Sequence, residues 1–206
     1  EAIPAFKQEI DRVFKECLEG YAPELIFVDD GSTDRSLEMI KKMAEHSPEV
    51  KFISFSRNFG KEAAIYAGLE AATGDYAAVM DVDLQDPPSL LPDMLKAIEK
   101  EGYDCAGTRR VTRQGEPLLR SFFARVFYKT IHQISDTRIV DGARDYKLMT
   151  RPVLEALLSL KEYNRFSKGL YEWVGFRTKW FEYENVERVA GETKWSFFKL
   201  FLYSIE

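Results

Sequence analysis

The five residues Asp81-Val82-Asp83-Leu84-Gln85 carry the clearest chemical signal in the sequence. They come directly after an apolar run, Tyr76 to Met80, that is typical of a buried strand. Alternate residues of an extended segment point the same way, so Asp81, Asp83 and Gln85 could converge on one hard cation. The pattern predicts a Mg²⁺ or Mn²⁺ site that holds a diphosphate, with a solvated acidic loop as the alternative.

A second acidic cluster, Asp29-Asp30-Gly31-Ser32, follows the apolar run Leu25 to Val28. A carboxylate here can accept a hydrogen bond from a nucleobase or a ribose hydroxyl, and Gly31 permits close approach to the backbone. The alternative is that Asp30 and Ser32 cap the next helix. We treat Asp29 and Asp30 as candidate nucleotide-binding residues.

The loop Arg57-Asn58-Phe59-Gly60-Lys61 places two cations around a glycine, again at the end of an apolar run. Such cations can bind a phosphate or a nucleoside, although many loops of this kind are only turns. Arg57 joins the candidate nucleotide-binding residues on this basis.

Several arginines come after the fourth apolar run of the chain: Arg109, Arg110, Arg113, Arg120 and Arg125. Guanidinium groups match phosphate oxygens in bidentate geometry. The acidic first half of the chain would repel a polyanion, so a small diphosphate or an anionic lipid head group fits better than nucleic acid. We predict that Arg109, Arg120 and Arg125 bind phosphate or acceptor. A solvated helix face is the alternative for others, such as Arg110 or Arg113.

Asp145 is a candidate for the acceptor side of a reaction. If the acceptor is a hydroxyl group, a carboxylate at this position could act as its general base. The sequence around it is equally consistent with a structural aspartate that pairs with Arg144 or Lys147.

Charge is distributed unevenly along the 206 residues, whose net charge is −5. Residues 1–105 carry 11 basic and 22 acidic side chains, whereas residues 106–206 carry 18 basic and 12 acidic ones. This asymmetry predicts a different partner for each half. With 45% hydrophobic and 31% charged residues, the composition excludes wholesale disorder and an integral membrane bundle. Two cysteines are too few for a disulfide scaffold. The two histidines do not have the spacing of metal ligands, which argues against a His-based zinc site.

The elements that must position these residues follow from the hydrophobic pattern. Short apolar runs predict strands near residues 25–28, 52–55, 76–80, 103–107 and 145–150. Periodic apolar residues predict helices over 3–18, from a Ser32 or Thr33 cap through Met43 to an end at Pro48, over 61–72, over 87–100, over 118–134 and from 151. Residues 176–189 are expected to form strand pairs. Alternating strands and helices predict an α/β fold with a mixed, mainly parallel sheet flanked by helices, whose ligands bind at the carboxyl ends of the strands.

Taken together, these stretches resemble family 2 glycosyltransferases of the GT-A fold, in particular the branch that acts on polyprenyl phosphates, which includes bactoprenol glucosyltransferases and dolichyl-phosphate mannose synthases. The resemblance rests on five segments in order: Phe27–Asp34, Ser56–Glu62, Asp81–Pro88, Arg144–Met149 and Ala190–Trp195. It implies a GT-A catalytic domain over residues 1–190 whose first strand is missing, so we interpret the chain as part of a longer protein. Residues 191–206 are expected to form an amphipathic interfacial segment that leads to an absent membrane anchor.

The resemblance also implies roles. Asp29 would contact the nucleoside, Asp81, Asp83 and Gln85 would hold a Mg²⁺ or Mn²⁺ ion and the diphosphate, Asp145 would lie near the acceptor, and Arg109 would bind a phosphate. The implied reaction is an inverting transfer of a hexose from a nucleotide sugar, such as UDP-glucose, to polyprenyl phosphate. It would take place at the cytoplasmic face of the cell membrane.

Two other functions remain open on the sequence. One is transfer to a saccharide or glycolipid hydroxyl, and the other is a non-catalytic nucleotide-binding module that serves a membrane partner. Basic and aromatic residues within 118–134 and 194–206 predict contact with a membrane surface, although core helices are the alternative. The sequence determines neither the base and sugar of the donor nor the oligomeric state. A homo-oligomer is compatible with it.

Overall fold

A computed structural model describes residues 2–110, 140, 142–162 and 165–183. The helices in this part of the chain are α1 (Ala2–Cys17), α2 (Ser36–His46), α3 (Lys61–Ala71), α4 (Leu91–Glu101), α5 (Arg151–Ser159) and α6 (Ser167–Trp173). The strands are β1 (Leu25–Asp29), β2 (Val50–Ser54), β3 (Tyr76–Val79), β4 (Cys105–Arg110), β5 (Ala143–Thr150) and β6 (Thr178–Tyr183). A 3-10 helix, Pro88–Leu90, leads directly into α4.

The strands form two sheets in the described chain. β1 and β2 pair in parallel, and the other four strands have the order β3-β5-β4-β6. β5 runs antiparallel to both β3 and β4, whereas β4 and β6 are parallel. The α/β class is therefore as expected, but the described ladders are evenly mixed rather than mainly parallel. The reason is that β5, which the chain reaches late, inserts between β3 and β4.

Successive side chains of β5 point to opposite faces of the four-stranded sheet, and each face packs against its own core of helical residues. Tyr146 and Leu148 belong to a core shared with β1 and helices α1, α2 and α4. Met149 belongs to a second core, which contains Leu69 of α3, Tyr171 of α6 and three residues of α5. β5 is thus the central strand that brings both helical layers to the site.

Helix α2 begins later than predicted. Ser32 and Thr33 do not cap it, since the helix starts at Ser36 and the backbone N–H of Ser36 donates to Oδ1 of Asp34 at 2.9 Å. The N–H of Ser32 instead donates to Oδ1 of Asp29 at 3.3 Å, within a loop that Gly31 turns with a φ of +68°. This loop separates the end of β1 from the start of α2. The end of β1 can therefore form part of the site described below.

The predicted segments 118–134 and 191–206 lie outside the described residues, as do Arg120 and Arg125. Of the expected strand pairs in 176–189, the structure describes the single strand β6. Among the residues that it describes, no helix is both long and apolar enough to cross a membrane.

Candidate active site

The loop after β1 is held by contacts with the end of β2. Asp29 is the last residue of β1, only 4% exposed, and its Oδ2 accepts a hydrogen bond from the hydroxyl of Ser54 at 3.3 Å. Gly31 packs so closely that a Cβ atom would lie 2.5 Å from the carbonyl carbon of Arg57. No larger residue fits there, because both the positive φ and the neighbouring backbone exclude it.

Asp30 holds the loop that carries Arg57. Its Oδ1 accepts from the backbone N–H of Phe59 at 2.6 Å, and its Oδ2 accepts from the N–H of Gly60 at 3.0 Å. The alternative that Asp30 caps α2 is therefore wrong. Both oxygens are used to fix the loop immediately before α3, so Asp30 positions its neighbours.

Arg57 lies on the exposed side of this loop. Its guanidinium carbon is 4.1 Å from the centroid of the Phe59 ring, and Nη1 donates to the carbonyl of Asn58 at 3.2 Å. Phe59 is half exposed and packs edge-to-face against Phe55. Arg57 is exposed, so its guanidinium group is accessible to solvent while it stacks on Phe59.

The acidic loop after β3 is a turn, and the expectation of an extended segment with alternating side chains is wrong. Leu84 adopts a φ of +58°, a left-handed conformation that bulky residues rarely take. The turn lets the N–H of Gln85 donate to Oδ1 of Asp83 at 3.1 Å. Such strain is concentrated at functional sites, where the surrounding structure compensates for it.

Lys61 bridges two of the predicted site residues. Its Nζ lies 2.9 Å from Oδ2 of Asp81 and 2.5 Å from Oδ2 of Asp145, which is 84 residues further along the chain. Burial alone would lower the pKa of Lys61, but the two carboxylates outweigh it and raise the pKa above its usual value. Lys61 is therefore a cation, held where the loop after β3 meets β5.

Asp145 receives a second cation from α6. Nζ of Lys168 lies 3.9 Å from its Oδ1. Burial would raise the pKa of Asp145, but Lys168 and Lys61 outweigh it and hold the pKa below its usual value. Glu62, next to Lys61, accepts hydrogen bonds from the N–H and hydroxyl of Ser167 and so ties α3 to the start of α6.

The alternative that Asp145 pairs with Arg144 or Lys147 is not what the structure shows. Arg144 donates from Nε to Oδ1 of Asp86 at 2.9 Å, and Tyr183 donates its hydroxyl to the same oxygen. Asp86 is fully buried, so this group anchors the acidic loop to β5 and β6. Lys147 pairs instead with Glu172, at 3.4 Å.

Arg109 and Arg110 lie at the end of β4. Arg109 forms an ion pair with Glu182 of β6, although its Nε has no hydrogen-bond partner in the described chain. Arg110, for which the sequence suggested a solvated helix face, is in the strand and has two buried nitrogens, Nε and Nη2, without partners among the described residues.

The residues present fit a divalent cation at Asp81. Within the described chain no group of three or more Asp, Glu, His or Cys side chains is arranged around a metal position. Mg²⁺ bound with a nucleotide needs only one or two carboxylates, because phosphate and water oxygens complete its coordination. A cation, the ammonium group of Lys61, already lies against Asp81, so this position favours positive charge.

Residues 2–158 match the family described as Glycosyl transferase family 2. The chain belongs to this family. It is 47% identical over 186 residues to "Putative glycosyltransferase CsbB" of Bacillus subtilis, a match that covers 90% of this chain and 56% of the relative. It is 40% identical over 206 residues to "Prophage bactoprenol glucosyl transferase homolog" of Escherichia coli, covering 100% of this chain and 66% of that relative. The chain thus spans less than two thirds of the length of these curated relatives.

Solved structures confirm the GT-A α/β fold of this family 2 member. The mannosyltransferase PcManGT from Pyrobaculum calidifontis, solved with GDP-Man and Mn²⁺, matches with a TM-score of 0.56 at 20% identity, covering 91% of this chain and 54% of that one. Glucosyl-3-phosphoglycerate synthase from Mycobacterium tuberculosis, solved with Mn²⁺ and UDP-glucose, matches with a TM-score of 0.58 at 18% identity, covering 99% and 71%. At these identities the likeness concerns the fold.

The structure brings the predicted residues into two neighbouring groups. Asp29, Asp30 and Arg57 surround the paired loops after β1 and β2, and Asp81 meets Asp145 through Lys61. Lys168 and Asp86 were not predicted. Lys168 is one of many lysines in the sequence, but Asp86 had a signal, because it directly precedes Pro87-Pro88 in the acidic loop.

Proposed function

We propose that this protein is a metal-dependent inverting glycosyltransferase that transfers a hexose from a nucleotide sugar, UDP-glucose or a close analogue, to polyprenyl phosphate. The observation that carries the proposal is the meeting of Asp81, on the acidic donor loop, with Asp145 of β5 through one ammonium group. Membership of family 2 and the relatives named bactoprenol glucosyl transferase, which match all 206 residues at 40% identity, support it.

In this proposal Asp29 contacts the nucleoside, while Asp30 and Arg57 shape its pocket. Asp81, Asp83 and Gln85 hold Mg²⁺ or Mn²⁺ and the diphosphate. The bound ion would neutralise charge that develops on the leaving diphosphate. The strained turn at Leu84 keeps Asp83 and Gln85 beside one another before the donor arrives. Preorganised groups of this kind need little rearrangement when the reaction occurs.

The ion pairs of Asp145 favour a phosphate acceptor over a hydroxyl. A general base works best when its pKa is close to the working pH, and the pKa of Asp145 is held below its usual value. A phosphate monoester needs no base, since its second pKa is about 6 and it is already largely dianionic near neutrality. Asp145 would then orient cations near the acceptor, and Arg109, Arg120 and Arg125 would bind its phosphate. A saccharide or glycolipid hydroxyl is the second candidate.

Because the proposed acceptor is a lipid, we place the reaction at the cytoplasmic face of the cell membrane. The relatives with bactoprenol in their names support action at the membrane. A catalytically silent nucleotide-binding module is the remaining alternative, and turnover by the purified protein separates it from both enzyme proposals.

The acceptor is tested by incubating the protein with UDP-glucose and Mn²⁺ and offering polyprenyl phosphate or a free saccharide. We expect glycosylated lipid phosphate. A glycosylated saccharide as the only product would contradict the lipid proposal, and donor binding without any turnover would support the silent module.

Asp83→Ala tests the donor site in the same assay. We expect kcat to fall by about 10²- to 10³-fold, as on removal of a single group that stabilises developing charge. Asp93→Ala, which removes an exposed carboxylate at the start of α4, is the matched control and should leave kcat unchanged. Equal rates in the two variants would contradict the role of Asp83.

A further inference from the structure

Lys61 joins the donor side and the acceptor side of the site. Its Nζ lies between Oδ2 of Asp81 and Oδ2 of Asp145, at 2.9 and 2.5 Å. In the proposed function Asp81 is a metal ligand and Asp145 belongs to the acceptor side. A single ammonium group therefore pairs with two carboxylates, one on the donor side of the proposed site and one on its acceptor side.

We propose that Lys61 is an internal counter-ion of the donor site, which holds Asp81 before a divalent cation binds, releases it to that cation, and continues to position Asp145. This inference rests on the proposed function and adds a positioning residue to it. Lys61 itself neither binds the metal nor exchanges a proton in this scheme.

Release from Asp81 follows from distance and charge. A Mg²⁺ ion lies about 2.0–2.1 Å from its carboxylate oxygen, so an ion on Oδ2 of Asp81 would take the place that the ammonium group occupies 2.9 Å away. Two cations this close repel each other strongly. Lys61 and a divalent cation therefore compete for the same oxygen.

The side chain can move while its backbone stays in place. Asp30 fixes the backbone N–H groups of Phe59 and Gly60, immediately before Lys61. The Lys61 side chain is 42% exposed and has a flexible four-carbon stem. It can therefore leave Asp81 without disturbing the start of α3.

Contact with Asp145 persists because that carboxylate has a weaker alternative partner. Lys168 is 3.9 Å from Asp145, too far for a good hydrogen bond, whereas Lys61 is at 2.5 Å. Asp145 is only 18% exposed, so water compensates it poorly if Lys61 is lost. Lys61 is accordingly the main group that fixes the orientation of this carboxylate.

The test is calorimetric titration of Mn²⁺ into the wild-type protein and the neutral variants Lys61→Met and Lys61→Gln. Loss of the competing cation should tighten Mn²⁺ binding by about three- to fivefold, the upper part of the range expected for a partly exposed ion pair. Lys61→Arg keeps the charge and should stay within about twofold of wild type. Lys51→Met, which breaks the surface pair with Glu24, should not change the affinity.

Kinetics give the second readout, which a merely structural lysine would not produce. In the neutral variants kcat should fall by about tenfold or more through misorientation of Asp145, while the donor KM stays equal or falls. Lys61→Arg should restore part of kcat. Circular dichroism and thermal unfolding establish that each variant is folded. If Lys61→Met does not fold, Lys61→Gln serves as the neutral variant.

The inference is overturned if Mn²⁺ binds both neutral variants with wild-type or weaker affinity, or binds neither the variants nor the wild type. It is also overturned if kcat is unchanged in the neutral variants. Failure of the proposed function has a different signature: the wild type would transfer no hexose to polyprenyl phosphate, and the Mn²⁺ titrations would still decide the role of Lys61.

Discussion

Lys147 lies on the same face of β5 as Asp145, and its environment is far more apolar. It is 1% exposed, and its Nζ lies 4.6 Å from the centroid of the Tyr171 ring and 5.1 Å from that of Trp180. Gly107 on the neighbouring strand makes room for Lys147 and Trp180, since a Cβ there would lie 3.2 Å from Cε of Lys147 and 2.9 Å from the Trp180 ring. Burial lowers the pKa of Lys147, and Glu172 offsets this only in part.

The lowered pKa predicts a pH-dependent difference between wild type and Lys147→Met. The folded protein binds the Lys147 proton less tightly than the unfolded chain, so the lysine destabilises the fold at neutral pH. That cost shrinks as pH rises from the folded pKa towards the unfolded value of 10.5. In urea unfolding, the stability of wild type relative to the variant should increase between about pH 7 and pH 10.

Lys179→Met is the control for this pH series, because its ion pair with Glu101 is at the surface and should contribute less than about 1 kcal/mol. Its stability difference from wild type should vary little over this range. A wild-type advantage over Lys147→Met that decreases as the pH rises would mean that Lys147 is stabilised as a cation by the two rings.

At the scale of elements, Asp86 connects the acidic loop, β5 and β6. Its carboxylate accepts from Arg144 and Tyr183 and is fully buried. Asp86→Ala would leave the guanidinium of Arg144 partly buried without its partner, which should cost about 3–5 kcal/mol. Tyr183→Phe removes one hydrogen bond to a charged group and should cost about 1.5–3 kcal/mol.

Denaturant unfolding measures both changes, and a transfer assay on the folded fraction reports on the site. We expect Asp86→Ala to reduce kcat as well, since this carboxylate fixes the loop that carries Asp83. A loss of stability with unchanged kcat would show that the loop holds its conformation without this anchor.

The sequence predicts individual helices and strands well, but it does not predict which strands pair with one another. The apolar runs near 25–28 and 76–80 are strands, and the helix after Gly60 begins where expected, because these signals depend on nearby residues. The position of β5 between β3 and β4 depends on pairing over long sequence separations, which no local pattern encodes. The left-handed Leu84 was equally hidden, since leucine gives no sign of that conformation.

Candidate site residues show the same division. Position after a buried strand was enough to select Asp29, Asp81 and Asp83. The partner that Asp81 shares with Asp145 was not predictable. Lys61 lies 20 residues before Asp81 and 84 before Asp145, and only the folded chain brings the three together. Asp30 illustrates the limit. Its type and position suggested a helix cap as one alternative, whereas its two oxygens accept from the backbone of a neighbouring loop.

At the scale of the whole molecule, charged residues from both halves of the sequence meet within the part of the chain that the structure describes. Asp81 and Asp86 come from the acidic half, yet their environment includes Arg144 and, through Asp145, Lys168 from the basic half. Cations from the second half thus reduce the repulsion among the acidic residues at the strand ends. A donor carrying a diphosphate would meet a site that is much closer to neutral than residues 1–105 alone suggest.

Binding at this shared site should therefore stabilise the entire fold, since the acidic loop, α3, β5 and α6 all meet there. A ligand at about 100 times its Kd adds about 2.7 kcal/mol, which corresponds to a rise in Tm of about 5–10 °C for a chain of this size. We expect such a rise for wild type with Mn²⁺ and UDP together in thermal unfolding, and its reversal by EDTA. Asp83→Ala should lose most of the rise and Asp93→Ala should keep it, whereas an equal rise in both would place the bound Mn²⁺ and UDP away from the acidic loop.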